Sequence, residues 1–223
     1  MAYRRGRSTL EEGRVIGVGA EAVLILCTWL GLKAVKKIRI RKSYRHKVLD
    51  EDLRRERTIL EARLMYEARR LGVPSPTLYD VDLDNYCIVM EYIEGPKLRE
   101  VMSKLRTKEL RAILSKLGYA VGILHANGIV HGDLTTSNVI LKEGIPFLID
   151  YGLGSFSYDT EERAIDLHIL LRSLESTHYS LSKKAFKMFL KGYSNALGRE
   201  ILFNVLKKVK EIRRRGRYVK ERA

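Results

Sequence analysis

A chain of 223 residues that is 45% hydrophobic and 31% charged has the composition of a folded soluble protein, long enough for one domain or for two small lobes sharing a cleft. Its 42 Lys and Arg against 27 Asp and Glu leave a formal net charge of +15, which favours polyanionic partners and exceeds what a bound nucleotide requires. Two cysteines, Cys27 and Cys87, each inside an apolar run, exclude a disulfide framework and point to core thiols in a reducing compartment.

The start, Met1 to Arg7, is basic, but no uninterrupted apolar segment with a small-residue cleavage site follows, so no signal peptide and a cytoplasmic location are expected. Arg14 to Gly19, Ala22 to Trp29 and Leu32 to Ile40 read as three antiparallel strands separated by glycine turns. Val15 to Leu32 is nearly uncharged and about long enough to suggest a membrane span, yet Glu21 at its middle and Gly17, Gly19 and Gly31 at turn-like positions argue for paired strands and no membrane. The turn Gly17-Val18-Gly19-Ala20-Glu21-Ala22 lets backbone N–H groups approach phosphates, although Ala22 takes a third glycine's place and Glu21 would repel a nucleotide. On the third strand either Lys36 or Lys37 can contact phosphates, because neighbouring strand side chains point to opposite faces.

A charged helix is expected from about Leu49 to Leu71, its apolar residues recurring at Leu53, Ile59, Leu60, Leu64, Ala68 and Leu71. Gly72 stops it before Pro74 and Pro76. Glu61, flanked by apolar positions, is the candidate carboxylate to orient the strand lysine. Two more strands follow at Leu78 to Val81 and Cys87 to Tyr92. Met90 would guard the back of an adenine pocket, with the backbone of Glu91 and Ile93 bonding the ring, and Glu94-Gly95-Pro96 crosses into a helical region. Helices are expected at Leu98 to Ser103, Thr107 to Asn127, Glu161 to Leu174, Ser182 to Leu197 and Arg199 towards Arg214.

Between the second and third of these helices lies the most specific signal. His131-Gly132-Asp133-Leu134-Thr135-Thr136-Ser137-Asn138 is followed twelve residues later by Asp150-Tyr151-Gly152. A phosphoryl-transfer centre needs one carboxylate to accept the proton of the attacking hydroxyl, and an amide oxygen and a second carboxylate to hold Mg²⁺ at the γ-phosphate. Asp133 and Asn138 stand in the D-x-x-x-x-N relation of a catalytic loop, and Asp150 opens a D-Y-G in place of D-F-G. A hairpin of Val139 to Leu141 and Phe147 to Ile149 would bring Asn138 and Asp150 together. The resulting expectation is an α+β, bilobal protein-kinase-like fold: residues 1–93 as a small β-rich lobe, 94–212 as a helical lobe with the catalytic and metal loops, and 213–223 as a basic tail.

Gly19-Ala20-Glu21-Ala22, Lys42-Ser43-Tyr44-Arg45-His46, Arg57-Thr58-Ile59-Leu60-Glu61-Ala62-Arg63-Leu64 and the His131 to Asn138 motif together resemble the small atypical kinase family of the KEOPS complex. That family includes the PRPK-like proteins, and the likeness covers nearly the whole chain. It implies an ATP- and Mg²⁺-dependent Ser/Thr kinase or ATPase working beside the enzyme that installs threonylcarbamoyladenosine in tRNA, with KEOPS subunits, especially that transferase, as partners. The family's K-x-R pattern selects Lys37 with Arg39 over Lys36. The resemblance assigns Lys37 and Glu61 to the phosphates, Asp133 as base, and Asn138 with Asp150 to metal. Gly132 replaces the arginine that would read a phosphorylated activation loop, and Asp166 is expected to brace the catalytic-loop backbone.

Basic residues fall into two blocks, Lys33 to Lys47 and Lys207 to Arg222. The first reads as a solvated face. The second, with Arg213-Arg214-Arg215-Gly216-Arg217, reads as a flexible arm for tRNA phosphates or a partner subunit. Two other functions fit the residues less completely: a small-molecule phosphotransferase, since His-Gly-Asp also opens such catalytic loops, and a weakly catalytic scaffold binding tRNA and partners through basic surfaces.

Overall fold

A computed structural model describes the backbone of residues 10–220 and the side chains of residues 13–215. The chain divides into two units, one of residues through Arg63 with Pro76–Tyr92, the other of Leu64–Ser75 with Ile93 onward. The expected 1–93 lobe therefore loses residues 64–75 and Ile93 to the helical unit.

The first unit is a five-stranded antiparallel sheet and most of one helix. Strands β1 (Leu10–Val18), β2 (Ala22–Trp29), β3 (Leu32–Arg39), β4 (Leu78–Asp82) and β5 (Cys87–Glu91) are ordered β1-β2-β3-β5-β4. The β2–β3 hairpin closes on Leu30 and Gly31, both at positive φ (48° and 81°), because a two-residue connection matches strand twist only in that mirror-image turn. Cys27, Ala34, Cys87 and Val89 form a buried cluster on one face, packed against Trp29, Ile38 and Tyr79. Burial pushes the Cys87 thiol up to about 12. Helix α1 (Lys47–Arg70) starts two residues before the sequence expectation. Buried Asp50 accepts from the Lys42 N–H at 3.1 Å and from Arg54 Nε at 2.8 Å, which ties the Lys42 to His46 segment onto the helix.

The second unit is helical. Helices α2 (Leu98–Val101), α3 (Thr107–Ala126), α4 (Thr160–Thr177), α5 (Tyr179–Leu197) and α6 (Arg199–Lys220) are joined by the expected hairpin, β6 (Val139–Lys142) with β7 (Ile145–Leu148), whose turn places Glu143 and Gly144 at positive φ. A short pair, Ile129–Val130 with Ser155–Phe156, was not foreseen, since two-residue strands carry no periodicity. α6 runs through Arg213 to Lys220, so the expected tail begins inside a helix, where Arg213 bonds Glu175 at 3.0 Å and Arg215 bonds Glu161 at 2.8 Å. Residues 221–223 lie outside the described residues. No described helix is long and apolar enough to cross a membrane; the segment once suggestive of a span is β1 and β2.

The core of this unit is the α3–α5 crossing. Leu114, Leu117, Val121 and Leu124 bury one face of α3, and Phe189 and Tyr193 bury one face of α5. Glycines let the two backbones meet: a Cβ at Gly118 would lie 1.9 Å from the Phe189 carbonyl oxygen, and one at Gly192 would lie 1.8 Å from that of Ser115. Main chain cannot yield as a flexible side chain does.

Gly192→Ala is accordingly expected to destabilise the protein by about 1 to 3 kcal/mol, the usual range for overpacking, read as a lower midpoint in urea. Alkaline pH supplies a second check. The native thiol of Cys87 stays protonated until about pH 12, whereas its ordinary value is 9.0. Its contribution to stability is thus complete below about pH 9 and is lost as pH rises towards 12, at up to about 1.4 kcal/mol per unit. Cys87→Ala should show a shallower alkaline decline than wild type in the same titration.

Candidate functional site

In the first unit β3 and α1 meet at a carboxylate. Lys37 and Arg39 share one face of β3, as alternate strand residues must. Lys37 Nζ lies 2.6 Å from Glu61 Oε1 and Arg39 Nη2 lies 2.6 Å from Glu61 Oε2, with all three residues buried. Arg39 Nη2 also donates to the Arg57 carbonyl at 3.2 Å. Lys36, on the other face, pairs in register with Ile25 and Val89. Between β1 and β2 the Gly19 N–H donates to the Ala22 carbonyl at 2.9 Å, and a Cβ at Gly19 would meet only that oxygen, at 3.6 Å. Packing within the turn does not demand glycine there; an open backbone is what it provides.

Glu21, which the sequence presents as a repulsive charge at the tip of this loop, is compensated. Arg57 of α1 bonds its carboxylate, and Arg39 Nη1 lies 3.7 Å away. The Arg57 bond, with the nearby arginine charges, holds Glu21 below the usual carboxylate range. Gly17 and Ala22 lie in the strands flanking the turn, and Ala20 accepts from Lys42 Nζ through its carbonyl. Met90 is buried in β5, opposite Val35 on one side and Leu78 on the other. The Glu91 carboxylate accepts from the Thr77 hydroxyl at 2.9 Å. Ile93 is buried and belongs to the second unit.

In the second unit the catalytic-loop motif is wound around one buried carboxylate. Asp166 of α4 accepts from the N–H groups of His131 (2.7 Å) and Gly132 (2.8 Å), and pairs with His125 Nε2 at 3.1 Å. Burial alone would raise its pKa, but the His125 bond and charge, His131 and the loop N–H donors outweigh it and hold the group ionised. His125 Nδ1 is bonded to the Tyr193 hydroxyl at 2.8 Å, anchoring the carboxylate to α5. Gly132 sits at φ 78°, and a Cβ there would lie 1.9 Å from the Leu153 carbonyl oxygen. His131 Nδ1 accepts from the Asp133 N–H at 3.3 Å, and its Nε2 donates to the Ile149 carbonyl at 3.2 Å, which assigns the proton to Nε2.

Asp133 and Asn138 are brought together directly. Asn138 Nδ2 donates to Asp133 Oδ2 at 2.7 Å and to the Asp133 carbonyl at 2.9 Å, leaving the amide oxygen as the atom able to face a cation. The Ile149 N–H donates to the Asn138 carbonyl at 3.0 Å, so Asp150 follows immediately beyond the open end of the hairpin. Asp150 itself takes φ 65°, a left-handed conformation rare outside glycine and held by its surroundings. Tyr151 is buried with its ring 4.9 Å from that of His131, and its hydroxyl lies 2.6 Å from Ser75 Oγ; burial pushes its phenol well above the ordinary value. Among the described residues no three His, Cys, Asp or Glu side chains gather as a metal cage. One amide oxygen and one carboxylate are nevertheless the sparse oxygen set that suits Mg²⁺, which keeps waters and takes phosphate oxygens.

Arg57 and Ser75 were not foreseen as participants. The tyrosine in D-Y-G signals Ser75 indirectly, since a buried hydroxyl needs a partner, and the acid in Gly-Ala-Glu-Ala signals a cation such as Arg57.

The protein kinase domain family matches residues 10–179. The KEOPS complex subunit Bud32 of Pyrococcus abyssi is 44% identical over 92% of this chain and 96% of its own length. Probable bifunctional tRNA threonylcarbamoyladenosine biosynthesis proteins of Methanothermobacter thermautotrophicus and Methanosarcina mazei are 42% and 43% identical over 92% and 94% of the chain, which spans 36% of each. A crystal structure of the Rio2 kinase–ADP/Mg²⁺–phosphoaspartate complex from Chaetomium thermophilum matches with a TM-score of 0.63 at 19% identity, over 92% of this chain and 72% of that one. WaaP in complex with acyl carrier protein matches with a TM-score of 0.60 at 18% identity, over 93% and 88%. These structural likenesses establish a protein-kinase-like fold, and the sequence matches go further: the chain belongs to the protein kinase domain family and, within it, to the Bud32 proteins.

Proposed function

We propose that the chain is an ATP-dependent phosphotransferase, acting as an atypical Ser/Thr protein kinase or as an ATPase, that serves the KEOPS-type threonylcarbamoyladenosine modification of tRNA in the cytoplasm beside the threonylcarbamoyl-transferase subunit. The observation that carries the reading is the grip of Asn138 on the Asp133 carboxylate at 2.7 Å, and the Ile149–Asn138 backbone bond, one residue before Asp150, supports it. A chance D-x-x-x-x-N has no reason to converge in this way.

In this reading the open turn from Gly17 to Ala22 covers phosphates, and Lys37, held by Glu61, meets the α- and β-phosphates. Met90 backs the adenine, and the backbone of Glu91 and Ile93 bonds its ring. Asp133 accepts the proton from a hydroxyl, of a protein side chain or of water, as that oxygen bonds to the γ-phosphorus and the bond to the β–γ bridging oxygen breaks. Mg²⁺, when held by Asn138 Oδ1 and Asp150, would neutralise charge on the phosphate oxygens. The buried tautomer of His131 keeps the Asp133 backbone in place. The names of the relatives support the tRNA role, and the basic surface supports an RNA partner.

Asp133→Ala is expected to bind ATP as wild type does and to lose about 10² to 10⁴ in single-turnover rate, the usual worth of a positioned base. Asp150→Ala should abolish Mg²⁺-dependent turnover with little change in melting temperature. Equal turnover in wild type and both variants would sink the proposal.

A finer test separates the lysines and the loop brace. Lys37→Met should cripple turnover while Lys36→Met leaves it near wild type. Arg57→Ala, which removes the cation bonded to Glu21 and leaves only the more distant Arg39, should raise the KM for ATP by about two- to fivefold with kcat nearly unchanged, the worth of one partly exposed ion pair. A kcat effect without a KM effect would remove Glu21 and Arg57 from nucleotide positioning.

A further inference from the structure

The cations of α5 and α6 differ in how many of them already meet a carboxylate. Arg213 pairs with Glu175 and Arg215 with Glu161, while Lys208 lies 3.7 Å from Glu161 and 3.1 Å from Glu211. These cations of α6 already face carboxylates, most of them on α4. Helix α5 is different. It carries Lys183, Lys184, Lys187 and Lys191, all exposed, and no acidic residue anywhere in its 19 positions. None of the four lysine side chains has an ion pair or a hydrogen bond among the described residues.

Their spacing places them in a row. Ser180, Lys184, Lys187, Lys191 and Asn195 recur at helical intervals on the solvent face and span about 22 Å at 1.5 Å per residue. The opposite face, with Ala185, Phe189, Gly192 and Tyr193, is buried, so the row stands on a rigid support. Lys183 extends the charge sideways into a cavity of about 670 Å³ that Arg172, Arg213, Ser176 and Ser180 also line, with Glu175 as its one carboxylate. A charged helix face is commonly only solvated. Here Lys184, Lys187 and Lys191 have no carboxylate on their own helix and no ion pair among the described residues, in contrast to Lys208, Arg213 and Arg215 of α6; Lys207, Lys210 and Arg214 of α6 are likewise exposed without an ion pair, but they do not stand in an acid-free helix.

We infer that the solvent face of α5 is a docking surface for RNA, engaging the phosphate backbone through Lys184, Lys187 and Lys191. Protein interfaces have an apolar centre and are depleted in lysine, and this row has no apolar side chain. A polyanion needs no apolar centre: each lysine that meets a phosphate releases condensed counterions, and an unpaired lysine does so without first giving up a carboxylate. The choice of RNA over another polyanion rests on the proposed tRNA role. The contact is sequence-independent, setting position rather than reading bases.

The test uses the full chain and an unmodified tRNA transcript, without ATP, over about 50 to 300 mM salt. The triple variant Lys184→Gln, Lys187→Gln, Lys191→Gln should flatten the log–log salt dependence of binding by about two to three units. The pair Arg213→Gln, Arg215→Gln should change it by less than about one, because those arginines are already engaged. An unchanged slope in the lysine variant overturns the inference, as does a larger change in the arginine variant, which would return the RNA to α6. Loss of binding to an acidic partner subunit with the tRNA slope intact overturns it in favour of a protein surface. Melting temperature and ATP turnover of the lysine variant should match wild type. Failure of the wild-type protein to turn over ATP would refute the phosphotransfer reading and leave the RNA result standing.

Discussion

One buried carboxylate organises the segment from His131 to Asn138. Asp166 receives two consecutive backbone N–H groups and an imidazole, and through that imidazole it is tied to Tyr193 on the helix that forms the core with α3. A charge taken out of water is tolerable only when its lone pairs are met, and stripping one partner from such a group costs about 3 to 5 kcal/mol. That penalty holds the turn at His131 and Gly132 shut. From the turn the chain reaches Asp133, whose N–H is received by the ring of His131, and Asn138, which closes on the Asp133 carboxylate. The geometry of the Asp133–Asn138 pair thus descends from the packing of the helical core.

The sheet unit uses charge in the same constructive way. Glu61 is shared by Lys37 and Arg39, and Arg39 reaches on towards Glu21, which Arg57 also holds. The run from Lys33 to Lys47, which reads as a solvated basic face, is only partly so: Lys33, Arg41 and Lys47 are exposed, but Lys37 and Arg39 are buried, and the Lys42 backbone and Arg45 attend Asp50. A high net charge in the sequence therefore overstates the free positive surface. Counting cations says little until their carboxylates have been located.

What was legible in the chain followed from strong periodicity and from spacing. The β-branched alternation of β2, the long amphipathic α1 and the hairpin after Asn138 each announce themselves locally, and the D-x-x-x-x-N with its D-Y-G states which groups converge. Other features depend on partners remote in sequence. Ser75 meets Tyr151 across 76 positions and Arg57 meets Glu21 across 36, and no local pattern links them. The end of α6 was misjudged because arginine at high density looks like an unstructured arm, when Glu161 and Glu175 on α4 give two of those arginines fixed seats. Domain boundaries erred for a related reason: a single helix serves both units, and nothing in its sequence marks the change after Arg63.

Gly132 has a consequence for the history open to this chain. The backbone there is left-handed and a Cβ would strike the Leu153 carbonyl, so even alanine is sterically barred, and an arginine more so. A descendant of this protein could not place an arginine before Asp133 by one substitution. It would first have to move the segment at Leu153 and Gly154. The short loop and the glycine are thus locked to each other, so a side chain at position 132 has to evolve together with a rebuilt segment opposite it.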